Sequence, residues 1–134
     1  MGRTLLAIVA AWITGMAIIM IVEMIGSAFN PQPPSNFMTM TAEETAAYVK
    51  TIPTSAYITV AFGYLLGSFA AGWMVTKVSK AWNSLLLPAI VGGLFTIGGI
   101  ANFCYILPGQ PTWFIVLCLL IFIPAAMLGH KAAR

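Results

Sequence analysis

The chain has 134 residues, of which 60% are apolar and 7% charged, with a mean hydropathy of +0.96 and a formal net charge of +3. A surface facing water needs about 25% charged residues, so this composition excludes an ordinary soluble domain and makes lipid the solvent for most of the chain. The six Lys and Arg residues form no basic stripe, and two cysteines outside any C-x-x-C spacing with a single histidine make no ligand set, so nucleic-acid binding, a metal site and a cofactor are not expected.

A helix needs about 20 apolar residues to cross a bilayer core of about 30 Å. The first such segment runs from about Leu5 to Ile25. Arg3 ahead of an apolar run resembles a signal peptide, but the uncharged stretch from Thr4 to Val22 exceeds the roughly 7–15 residues of a signal core and predicts a retained span. The connection from Ser27 to Pro53 follows. Its Asn30-Pro31-Gln32-Pro33-Pro34 stretch reads as extended and stiff. Thr41 with Glu44 three residues later forms a capping box, Lys50 suits a helix C-terminus, and Pro53 stops the helix. A short amphipathic helix is therefore expected at about Ala42–Lys50, with Ala46 and Val49 turned to the protein; a flexible loop is the alternative.

The second span is expected at about Ala56–Thr76. From Ala81 to Gly129 there is no Asp, Glu, Lys or Arg, and Leu107-Pro108-Gly109-Gln110-Pro111 divides this stretch. That leaves a third span near Ser84–Ile106 and a fourth near Thr112–Leu128. The uninterrupted apolar runs argue against a membrane β-barrel, whose strands alternate. The predicted fold is an all-α membrane protein: a four-transmembrane-helix bundle forming one integral domain, residues 1–134.

Arg3, Lys77, Lys80, Lys131 and Arg134 fall on one side of such a bundle, and Lys50 with Glu43 and Glu44 on the other. The excess of basic residues predicts both termini in the cytoplasm, in a bacterial inner membrane. His130 is expected at the inner interface beside Lys131, where the basic tail suits anionic lipid headgroups.

Helices in lipid associate where small residues allow close approach. Ala7, Ala11 and Gly15 repeat every four residues in the first span, and Gly63, Gly67 and Ala71 in the second. Ala89, Gly92, Gly93, Gly98 and Gly99 lie in the third. These faces are expected to build the bundle; a homodimer is the other use for one of them. Pro124 removes a backbone donor from the fourth span and predicts a kink.

Glu23 is the single charged residue inside a span. Intramembrane acids mark ion paths and ligand sites, although near the core's edge a glutamate also reaches the headgroups by snorkelling. Asn102 lies at a similar depth in the third span, with Tyr105 one turn on and Tyr57 at the start of the second. Glu23, Asn102, Tyr57 and Tyr105 are the candidate ligand-binding residues, in an outward-facing pocket lidded by the Pro-rich segment; a structural hydrogen-bond network is the plainer reading. Cys104 and Cys118 are expected as free thiols, since their depths differ by more than a disulfide tolerates.

No nucleophile–base pair is visible and no catalytic residue is assigned. The sequence favours a non-catalytic accessory, assembly or scaffold protein whose partners are membrane lipids and a larger membrane protein or a second copy. The alternative is a small homo-oligomeric transporter or channel, cation- or proton-linked through Glu23.

Overall fold

Each long apolar run becomes a helix, because a helix satisfies its backbone polar groups within one segment. The computed structural model describes residues 1–134 and is 81% helical. Its helices are α1 (Gly2–Ser27), α2 (Ala42–Thr51), α3 (Thr54–Ser79), α4 (Leu86–Ala101) and α5 (Thr112–Ala133). A π-helical turn over Asn102–Ile106 continues α4. With that turn included, α1, α3, α4 and α5 are long and apolar enough to cross a membrane. The fourth span extends to Ala133, beyond the expected end at Leu128.

Local chemistry sets the boundaries. The capping box of α2 is present: the Thr41 hydroxyl accepts from the Glu44 amide at 3.2 Å, and the Glu44 carboxylate accepts from the Thr41 amide at 3.0 Å. Lys80 ends α3 in the left-handed conformation, at φ 59°. Gly109, at φ 87°, allows the tight turn between α4 and α5.

The residues of α2 that face the protein are Thr45 and Val49, not the expected Ala46 with Val49. A spacing of four keeps Thr45 on the Val49 face, while Ala46 is turned about 60° from it. Thr45 can be buried because its hydroxyl donates to the Thr41 carbonyl at 3.0 Å.

α3 is the centre of the bundle, packing on α1, α4 and α5; α4 packs on α5, and α1 touches α4 only slightly. The α1–α3 seam uses the expected small residues. A Cβ on Gly67 would lie 2.7 Å from the Gly15 carbonyl oxygen, and one on Gly63 would lie 3.2 Å from Val22. Ala7, Ala11 and Ala71 are fully buried.

The closest helix approach is between α3 and α5. A Cβ on Gly72 would collide with the Ala126 carbonyl, and one on Gly129 with the Phe69 carbonyl. The small stripe Ala125, Gly129 and Ala133 of α5 lies in this seam, with Ala126 beside it. On α4, Gly92 packs against the Ile123 backbone, but Gly93 does not pack: a Cβ there would meet nothing within 4 Å. Gly93 lies one residue round from the face that α5 covers, so its expected packing role is corrected.

Aromatic rings fill the centre, with Phe122 between Phe95 and Tyr64 at centroid distances of 6.2 and 5.2 Å. Cys118 is buried and Cys104 exposed, both as free thiols. At the basic end, the Arg3 guanidinium donates to the Val78 carbonyl at 2.9 Å. His130 is not an interfacial residue there. It is 1% exposed, with Nδ1 2.8 Å from the Thr76 hydroxyl. Continuation of α5 past Leu128 carries it into the α3 contact.

Candidate functional site

At the end opposite the basic residues, beside the contact of Gly26 with Thr59, side-chain hydrogen bonds tie the segment after α1 to the start of α3. Ser55 donates to Asn30 at 2.8 Å, and Asn30 donates to the Gly26 carbonyl at 3.0 Å. Beside this junction lies a cavity of about 310 Å³. Its walls come from α1, α3, the π turn, the turn that follows it and the start of α5, and its roof from α2 and the Pro33–Phe37 stretch. The roof is held from below. Tyr57, 5% exposed, donates its hydroxyl to the Val49 carbonyl of α2 at 3.3 Å. Phe37 packs edge-on against Tyr48 at 5.9 Å, joining the loop to α2.

Glu23, Asn102 and Tyr57 all line this cavity. Tyr105 does not; it is 85% exposed on the outside of the bundle. The cause is the π turn. The Leu107 amide donates to the Asn102 carbonyl, five residues back, at 2.8 Å. A π turn winds less per residue than an α turn, so Tyr105 does not return to the face of Asn102.

Tyr64 supplies the second phenol instead. Asn102 Nδ2 donates to its hydroxyl at 3.4 Å, and its ring packs on Phe122. The sequence carried a signal for it, since Tyr64 stands seven residues after Tyr57, two helical turns along one face. Thr59 and Gln110 also reach the cavity; the Gln110 amide nitrogen donates to the Leu107 carbonyl at 2.9 Å, leaving its oxygen available.

The polar inventory is one carboxylate, the three phenols of Tyr48, Tyr57 and Tyr64, carboxamides and hydroxyls, set among Phe37, Ile52 and Phe114. Glu23 is exposed to the cavity and makes no hydrogen bond or ion pair with protein. Lys50 is the single basic residue between Arg3 and Lys77, and it does not line the cavity. No group of three or more His, Cys, Asp or Glu comes together. The arrangement can accept hydrogen bonds, offer a negative charge and present aromatic faces. Tyr48, Tyr57 and Tyr64 are the other titratable groups that line the cavity, and Glu23 is its single carboxylate.

Comparison with protein-family models, curated proteins and solved structures finds no match for this chain.

Proposed function

We propose that the chain is a non-catalytic integral membrane protein of four spans that binds a small cationic molecule at its outer end, as a carrier or channel does. The cavity beside Glu23 carries this reading. A carboxylate in a membrane-level cavity without a protein cation lacks a counter-charge, and a bound cation supplies one. The tyrosines and Phe114 add aromatic faces, which attract cations within about 6 Å of a ring centroid. In this reading both termini are cytoplasmic and the membrane is a bacterial inner membrane; the basic clusters at one end support that orientation.

The test is native mass spectrometry of the protein in mild detergent with tetramethylammonium, butylamine and acetate. Wild type should retain a cation and not acetate, and Glu23→Gln should lose it by at least tenfold. Equal retention by wild type and Glu23→Gln would sink the proposal.

One observation favours a second reading, an accessory or scaffold protein. The α1 span is only 22% buried, against 39% for α3, because α1 packs almost wholly on α3. Its free flanks give a larger membrane protein or a second copy a place to pack. The same spectra test this, since a subunit that co-purifies in fixed stoichiometry supports it.

A further inference from the structure

The cavity has a roof over its outer end and, on one side, no wall. The α1–α3 seam is closed along its length by Gly15 on Gly67, Val22 on Gly63, Gly26 on Thr59 and Asn30 on Ser55. The α4–α5 seam is closed by Gly92 on Ile123 and Gly99 on Phe122. Between α1 and α4 the contacts are sparse. One of them lies low in the bundle, where a Cβ on Gly15 would sit 2.5 Å from the Phe95 ring.

Helical periodicity says what borders the gap above that contact. Gly98 lies three residues after Phe95 and four before Asn102, on the flank of α4 away from the one that Gly92 and Gly99 turn to α5. A Cβ on Gly98 would meet nothing within 4 Å. On α1, Met16, Met20, Glu23 and Ser27 follow one another at spacings of four, three and four, so they share the flank that carries Glu23. Met20 is 58% exposed. The gap is thus an apolar slot about 10 Å long, from Asn102 down to Phe95. Its upper end opens into the polar cavity, and its side opens to whatever surrounds the helices. Methionine is unbranched and adapts to irregular apolar partners such as an alkyl chain.

We infer that the site takes a single-chain amphiphile with one ammonium headgroup, admitted sideways from the bilayer. The ammonium lies in the cavity opposite Glu23, and the tail runs down the slot past Gly98 and Met20 to Phe95. This rests on the proposed cation-binding role and adds the tail, the route and the exclusion of phosphate. No Lys, Arg or His lines the cavity, so a phospholipid headgroup would place an unpaired phosphate beside a carboxylate.

The test uses native mass spectrometry of delipidated protein with decylamine, butylamine, decanol and lysophosphatidylethanolamine. Decylamine should bind at least tenfold tighter than butylamine, and neither decanol nor lysophosphatidylethanolamine should compete with it. Gly98→Leu fills the slot without a backbone clash and should remove the advantage of decylamine while leaving butylamine bound. Met20→Trp fills it from the facing helix and should act in the same way. Butylamine and decylamine binding equally, or Gly98→Leu and Met20→Trp both leaving decylamine binding unchanged, would overturn the slot and leave the cation site standing. If neither amine binds wild type, slot and cation site fall together. Competition by lysophosphatidylethanolamine would overturn the exclusion of phosphate.

Discussion

His130 and Thr76 meet at 2.8 Å, Nδ1 to Oγ1, in the dry contact between α3 and α5. The Thr76 hydroxyl also reaches the Gly72 carbonyl at 2.8 Å, and both contacts are satisfied when the hydroxyl donates to that carbonyl and accepts from Nδ1–H. Nε2 is buried without a partner. Removing the Thr76 hydroxyl leaves neither ring nitrogen bonded, and an unsatisfied buried polar group costs about 1–3 kcal/mol. Thr76→Val should therefore lower stability by about that amount. Adding His130→Leu should recover most of the loss, because replacing both partners by apolar groups is nearly neutral. Unfolding in detergent of the single and double variants measures both.

The glycines differ in what they carry. Gly72→Leu and Gly129→Leu each drive a side chain into a facing backbone carbonyl, and both should prevent the native α3–α5 contact. Gly93→Ala meets open space inside a helix and should be neutral or stabilising by up to about 1 kcal/mol. Thermal unfolding and yield after extraction separate the two outcomes.

Tyr64 and Tyr105 should behave oppositely. Tyr64→Phe removes the acceptor for Asn102 at the cavity and should weaken butylamine retention several-fold. Tyr105→Phe alters an exposed ring and should leave retention unchanged. Equal effects of the two substitutions would show that the cavity is not where the amine binds.

The roof helix is held at its start by the capping box. Thr41→Ala removes one of its two reciprocal bonds and should cost about 1 kcal/mol. Its effect should be local. Amide exchange should accelerate across Ala42–Thr51 and stay unchanged in the four long helices, as hydrogen-exchange mass spectrometry can resolve.

Orientation is checked by labelling. In a Cys104→Ala, Cys118→Ala background, Asn36→Cys precedes the roof helix and Asn83→Cys follows α3 at the basic end. A membrane-impermeant maleimide applied to intact cells should label Asn36→Cys alone. Labelling of Asn83→Cys alone would invert the proposed topology.

Local chemistry was legible in the sequence wherever one segment decided the outcome. Thr41 and Glu44 needed only each other. Ala7, Ala11 and Gly15, with Gly63, Gly67 and Ala71, announced a close seam through their spacing. The faces were less legible. An α-helical spacing puts Tyr105 beside Asn102, but the turn that joins them is π-helical. Tyr64, on the same stripe as Tyr57, takes its place. A fourth span that ends at Leu128 puts His130 at the surface, whereas Ala125, Gly129 and Ala133 continue a small-residue stripe to the end of α5.

The amino-acid order by itself determined the four apolar helices, the turn that divides the last two, the cap of the roof helix and the single acid within a span. These follow from hydropathy, proline and hydrogen bonding within a few residues. Tertiary structure alone decided that α3 is the hub, that α1 packs on it and leaves a gap beside α4, and that Glu23 opens into a cavity with Tyr64 and Asn102. Those outcomes depend on which helix faces meet. In lipid, side chains of similar hydropathy do not settle that choice; close packing of glycine against backbone does.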